Sequence, residues 1–173
     1  MIIYPYKGKY PKISQTAFIA PNAVIIGDVE IGDYSSIWFS CVIRGDVHYI
    51  KIGNYTNIQD LTMIHAERHK YPTIIGNYVS IGHRAIIHGC IINDYVLIGM
   101  GAIILNNAFI DSYTIVAAGS VVREDFRGEK GVLIAGVPAV IKRKLTDEEI
   151  ELIKDIPQRY VNYSRDYINE GIK

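Results

Sequence analysis

The chain has 173 residues, about half of them apolar, and its 18 Lys and Arg balance its 18 Asp and Glu. A neutral balance offers no bulk attraction to nucleic acid or to an anionic membrane, and no stretch approaches the roughly 18 uninterrupted apolar residues of a membrane span. The length is one domain's worth. The start, Met1-Ile2-Ile3-Tyr4-Pro5, lacks the basic run and apolar core of a secretory signal. Two cysteines, Cys41 and Cys90, form no paired motif, so a reduced, cytoplasmic setting is expected.

Residues 1–12 alternate apolar positions around two prolines and are expected to form an extended lead-in. From Ile13 a six-residue period takes over. Ile19, Ile25, Ile31, Ile37 and Ile43 form an unbroken series, which resumes after three extra residues at Ile52, Ile58 and Ile64. Five extra residues precede Ile75, Ile81 and Ile87; one short step then leads to Ile92, Ile98, Ile104, Ile110, Val116 and Val122. Two positions before most of these stands a small or β-branched residue, such as Ala23, Thr62 or Ala85. A helix needs apolar residues at three- and four-residue spacing and an amphipathic strand needs strict alternation. A period of six fits neither. It fits a three-sided prism in which each hexapeptide supplies one short strand and one corner, and stacked coils bury a continuous isoleucine column. Cys41 and Cys90 fall on the small corner position and read as buried structural thiols. The prism is expected over 13–141. After Gly136-Val137-Pro138-Ala139 the period stops, and 145–170 reads as a helical segment: Thr146 and Glu149 have the spacing of a capping box. Ile150, Ile153, Tyr160 and Tyr163 outline its apolar face, and Pro157 is expected to break or kink it.

The insertions decide where the polar residues fall. If Ile43 to Ile52 and Ile64 to Ile75 each count as one hexad plus a loop, Arg44, His65 and His88 stack in one column over three successive coils. Asp60 and His83, each two residues after a core isoleucine, stack in a second column on another face. His83 then meets His65 and His88 only if subunits pack side by side about a threefold axis. Counting two hexads between Ile64 and Ile75 would instead scatter the histidines. His48 and His69 lie in the insertions and read as exposed loop residues.

The ordered set Ile43-Arg44-Gly45-Asp46, Ile58-Gln59-Asp60, Ile64-His65, Ile81-Gly82-His83, Ile87-His88-Gly89-Cys90 and Ile98-Gly99-Met100-Gly101 resembles the γ-class carbonic anhydrase family from about residue 10 to the C-terminal helix. The resemblance implies a mainly β fold, a left-handed parallel β-helix of hexapeptide repeats with a C-terminal α-helix. It also implies a homotrimer with zinc, or in some members iron or cobalt, at each subunit interface. His65 and His88 of one subunit and His83 of the next would be the ligands, and reversible hydration of carbon dioxide to bicarbonate the reaction. It further implies that Gln59 orients water or substrate, that Arg44 and Asp46 form an interface ion pair beside the site, and that Asp60 supports the interface network. Asn162 or Tyr163 would face the substrate. One departure stands out: the family's best-studied type carries an acidic loop and a proton-shuttling glutamate after the Arg-Gly-Asp-like segment. Here Val47 follows Asp46, and Glu67 and His69 are the nearest substitutes. That departure implies slow or buffer-dependent hydration, or none. Two alternatives are therefore carried: a non-catalytic or weakly active metal-binding trimer, and a hexapeptide-repeat acyltransferase that uses acetyl-CoA and a single histidine as general base.

Overall fold

A computed structural model describes residues 2–172. Most of them form a parallel β-solenoid of about seven turns, and one helix follows it. The strand register answers the counting question. On the first face Ile19, Ile37, Ile58, Ile81, Ile98, Val116 and Ile134 follow one another in adjacent coils. The second face stacks Ile25, Ile43, Ile64, Ile87, Ile104 and Val122. The third stacks Ile13, Ile31, Ile52, Ile75, Ile92 and Ile110. Each insertion is therefore one hexad plus a loop. Apart from Ile13, which is partly buried at the end of its column, these side chains are buried. An isoleucine so placed contributes about 1.5–3 kcal/mol, and no coil could bury its own column without the next. Cys41 and Cys90 sit in this interior as buried free thiols, and burial pushes both up to about 12, which leaves them un-ionised and inert.

Most corners place a residue in the left-handed region. At the corner between the third and first faces that residue is a tyrosine in five successive coils: Tyr34, Tyr55, Tyr78, Tyr95 and Tyr113, at φ 53–56°. Their rings stack with centroids 4.8–5.0 Å apart, which is the coil spacing itself. The first face forms its own sheet, whereas the second and third share one, because strands Val24–Ile31 and Val42–Ile52 run round their common corner without a break. The corner is taken at Gly27 and Gly45. A Cβ on Gly27 would stand 2.4 Å from the Gly45 carbonyl oxygen, so only glycine lets the two coils approach there.

The lead-in is extended as expected and carries a strand, Ile2–Tyr4, that lengthens the second face by pairing in parallel with Val24–Ile26. Two sequence expectations need correction. At the other end, residues after Gly136 do not continue the coil: Ala139–Lys144 turns back antiparallel on Val132–Gly136 and closes the sheet. Pro157 does not end the helix, which runs unbroken over Asp147–Asn169 from the expected capping box. Pro157 is itself buried, on one stripe with Ile153, Val161 and Ser164 against the first face. That burial offsets the one hydrogen bond proline cannot donate. Among the described residues no helix is long and apolar enough to cross a membrane.

Candidate metal centre

His65 and His88 end the short strands Met63–His65 and Ile86–His88, paired Cα to Cα in adjacent coils. Both side chains point outward, because the isoleucine before each points in. The extra residues of Val42–Ile52 are absorbed between Gly45 and Ile50, where the register against Gly27–Val29 shifts, and this sets Asp46 beside His65. Asp46 Oδ1 lies 2.9 Å from His65 Nε2, and Arg44 donates to the other carboxylate oxygen at 2.5 Å. Burial pulls Asp46 upward, but the hydrogen bonds from His65 and Arg44 and the guanidinium charge outweigh it and hold the carboxyl below its ordinary value. Burial, aided by Arg44 and His88, pushes His65 down against the pull of Asp46, which favours a neutral ring.

His88 is held by a residue that the sequence reading missed. Asn106 Nδ2 donates to Glu67 Oε2 at 3.1 Å and to Glu124 Oε1 at 3.4 Å, so its Oδ1 faces His88 Nδ1, at 2.7 Å. An amide oxygen only accepts, so the His88 proton is on Nδ1. In the same way Asp46 takes the proton of His65 on Nε2. The remaining nitrogens, His65 Nδ1 and His88 Nε2, then face each other as two lone pairs 3.1 Å apart. Such a pair is unfavourable unless a cation lies between them. Two nitrogens at about 2.0–2.1 Å from a tetrahedral zinc stand roughly 3.4 Å apart, within a few tenths of an ångström of this separation. Ligating histidines characteristically have their second nitrogen held by a carboxylate or carbonyl, and both do here. The donor set fits a divalent metal.

His83 follows Ser80–Ile81 on the corner between the first and second faces. Its Nδ1 is 2.7 Å from Asp60 Oδ2, one coil earlier, and Asp60 Oδ1 accepts the Phe39 N–H. Among the described residues Nε2 has no partner, on a side chain that is 41% exposed. Among the described residues no three His, Cys, Asp or Glu side chains of one chain are grouped to hold a metal ion. The chain brings Arg44, Asp46, His65 and His88 together, brings Asp60 and His83 together elsewhere, and does not join the two sets.

Gln59 is buried on the first face, where its Nε2 donates to Asn57 Oδ1, and Asn57 donates in turn to Ser80 Oγ. Asn162 is exposed on the helix, and Tyr163 lines a recess beside Asp60. Glu67 reaches the centre only through Asn106. His69 sits exposed at the tip of the tight turn bridged by Glu67 and Tyr71. His48 is not an exposed loop residue: it is half-buried within Val42–Ile52, with its ring against Tyr49, and shares with His69 a cleft of about 490 Å³ bordered by Asp46.

Between the two histidine-bearing corners runs the outer side of the second face. Its column there is apolar: Val42, Met63, Ile86, Ile103 and Val121 stack coil on coil, and Ile86 is 41% exposed.

A β-solenoid built on a six-residue repeat defines a class, the hexapeptide-repeat proteins. The profile "Bacterial transferase hexapeptide (six repeats)" matches residues 10–45. The chain is 53% identical over 152 residues to "Probable carbonic anhydrase" of Methanocaldococcus jannaschii, covering 88% of this chain and 95% of that protein. It is 43% identical to "Gamma carbonic anhydrase 2, mitochondrial" of Arabidopsis thaliana over 95% of this chain, but spans only 61% of that protein's length. Among solved structures, "hexapeptide transferase family protein" from Anaplasma phagocytophilum superposes with a TM-score of 0.93 at 42% identity, over 96% of this chain and 98% of that one. The chain belongs to the γ-class carbonic anhydrase family of hexapeptide-repeat proteins.

Proposed function

We propose that the protein is a homotrimeric, metal-dependent carbonic anhydrase that interconverts carbon dioxide and bicarbonate. His65 and His88 of one subunit and His83 of its neighbour would hold the metal. The observation that carries this reading is the 3.1 Å approach of His65 Nδ1 and His88 Nε2, whose other ring nitrogens are held by Asp46 and Asn106. The apolar column of the second face supports the trimer. It stands between the corner that carries His83 and the corner that carries His65 and His88, so a subunit seated on it brings one corner of its own against the other.

Zinc, or iron or cobalt on the same donors, supplies when bound a Lewis acid that lets water ionise near neutral pH, a property best known from carbonic anhydrases themselves. The chain's own groups do the rest. Asp46, Asn106 and Asp60 each hold the rear nitrogen of one histidine, which keeps the three imidazoles aimed forward. Arg44 keeps Asp46 ionised. Gln59, its amide nitrogen occupied by Asn57, has its carbonyl oxygen left to orient water or substrate.

The test is carbon dioxide hydration by zinc-loaded protein in a strong buffer, with metal content measured on the same sample. Turnover above background at one metal per chain is expected. Full metal content without turnover would reduce the protein to a metal-stapled trimer. Saturable binding of acetyl-CoA by protein that holds no metal would instead make it an acyltransferase.

A further inference from the structure

A second site lies where the far end of the helix meets the first coils. Trp38 and Phe39, on the first face, and Tyr160, Tyr163 and Tyr167, on the helix, surround a recess of about 300 Å³. Their rings do not stack. Trp38 stands at 83° to Tyr160 and 87° to Tyr167, with centroids 5.4 and 5.3 Å away, and Tyr160 stands at 75° to Tyr163. These edge-to-face contacts pack the rings into one cluster, and the recess opens beside it with all five side chains in its lining.

The polar members of the recess are acidic. Asp60 and Asp166 line it, and no lysine, arginine or histidine does. Asp60 is already engaged by His83 and the Phe39 N–H. Asp166 has no cationic partner within 4.0 Å among the described residues, and its carboxylate is free to meet a ligand. Burial above all, and then Asp60 and Tyr163, push the Tyr160 hydroxyl up to about 12. Aromatic walls attract a cation through the negative faces of their rings, and most strongly a bulky, weakly hydrated one. A small inorganic ion would keep its water and gain little from five rings.

We propose that this recess binds a small organic ammonium ion, a quaternary or alkylated amine, with the aromatic side chains against its head group and Asp166 as counter-charge. The site requires no metal, but it shares Asp60, which holds His83, and Tyr163 with the surroundings of the proposed centre.

Trp38 is the chain's one tryptophan, so its fluorescence reports the recess alone. Choline and its neutral carbon isostere 3,3-dimethylbutan-1-ol are titrated in parallel at constant ionic strength. Choline is expected to change the emission saturably, and the isostere to bind at least about fivefold more weakly. Asp166→Asn is expected to weaken choline about fivefold and leave the isostere unchanged. Tyr163→Ala, at a side chain 48% exposed, is expected to weaken choline as well. Equal response to both compounds would make the recess a plain apolar groove and overturn the proposal. So would no response to either, or choline binding indifferent to Asp166→Asn.

Discussion

Two corners of the same prism have been put to opposite uses. The corner between the third and first faces repeats without insertion for five coils and carries the tyrosine stack, each ring 4.8–5.0 Å from the next. The corner between the second and third faces is interrupted twice, and there Asp46 meets His65, and Glu67 and Asn106 meet His88, with the two histidines side by side. A strict repeat sets like beside like, which is good for stacking and useless for assembling unlike groups. Extra residues break the translation. The three in Val42–Ile52 lift Asp46 to His65, and the five after Ile64 carry Glu67 down to Asn106. Regularity holds the solenoid together, and its interruptions supply the chemistry.

The comparison breaks most readily in the core beneath both corners. Ile81→Ala should destabilise by about 2–5 kcal/mol, because rigid neighbouring coils cannot collapse into the cavity; a denaturant midpoint nearly unchanged would mean the columns are not close-packed. At the interrupted corner, Asn106→Ala removes the acceptor that fixes the His88 tautomer. Metal affinity, read by competition with a chelator, should fall about 10–100-fold, with little change in metal-free melting. Equal loss of stability and affinity would make Asn106 a structural residue only. At the regular corner the expectation reverses: Tyr78→Leu loses two stacking contacts and should cost about 1 kcal/mol of stability while leaving metal affinity untouched. The smallest effect is at the helix start. The Arg143 fork, then the Thr146 N–H, hold the Glu149 carboxyl at about 2 against an ordinary 4.5. A lowered native value contributes stability that is full above the ordinary value and is lost as pH falls through the native one. The melting difference between wild type and Glu149→Gln should therefore be constant at neutral pH and shrink from about pH 4.5 to about 2; a pH-independent difference would remove Glu149 from the cap.

Much of this is legible in the sequence alone, and the reasons are physical. A six-residue isoleucine period has one economical solution, and the size of each insertion then sets which polar residues share a column, so Asp60 with His83 and His65 with His88 followed from counting. The hand of the coil did not; it came with the family likeness. Asn106 looked like an ordinary turn residue in Leu105-Asn106-Asn107, and its one signal was its position 18 residues, a full coil, after His88. The aromatic recess was invisible because residues 38–39 and 160–167 meet only once the helix folds back. Pro157 misled because its lost hydrogen bond is a local cost, and the burial that offsets it is tertiary.

The central claim, that the metal is shared between chains, has a direct test. His65→Ala and His83→Ala are each prepared as pure trimers, then unfolded, mixed and refolded together, and bound metal is counted. Each pure variant should bind none, since every site lacks one ligand. In the mixture, sites that draw His65 and His88 from a His83→Ala chain and His83 from a His65→Ala chain are whole, and about a quarter of all sites should recover metal on random assembly. Recovery near that fraction supports the shared centre; mixed trimers that bind no more metal than the pure variants would contradict it.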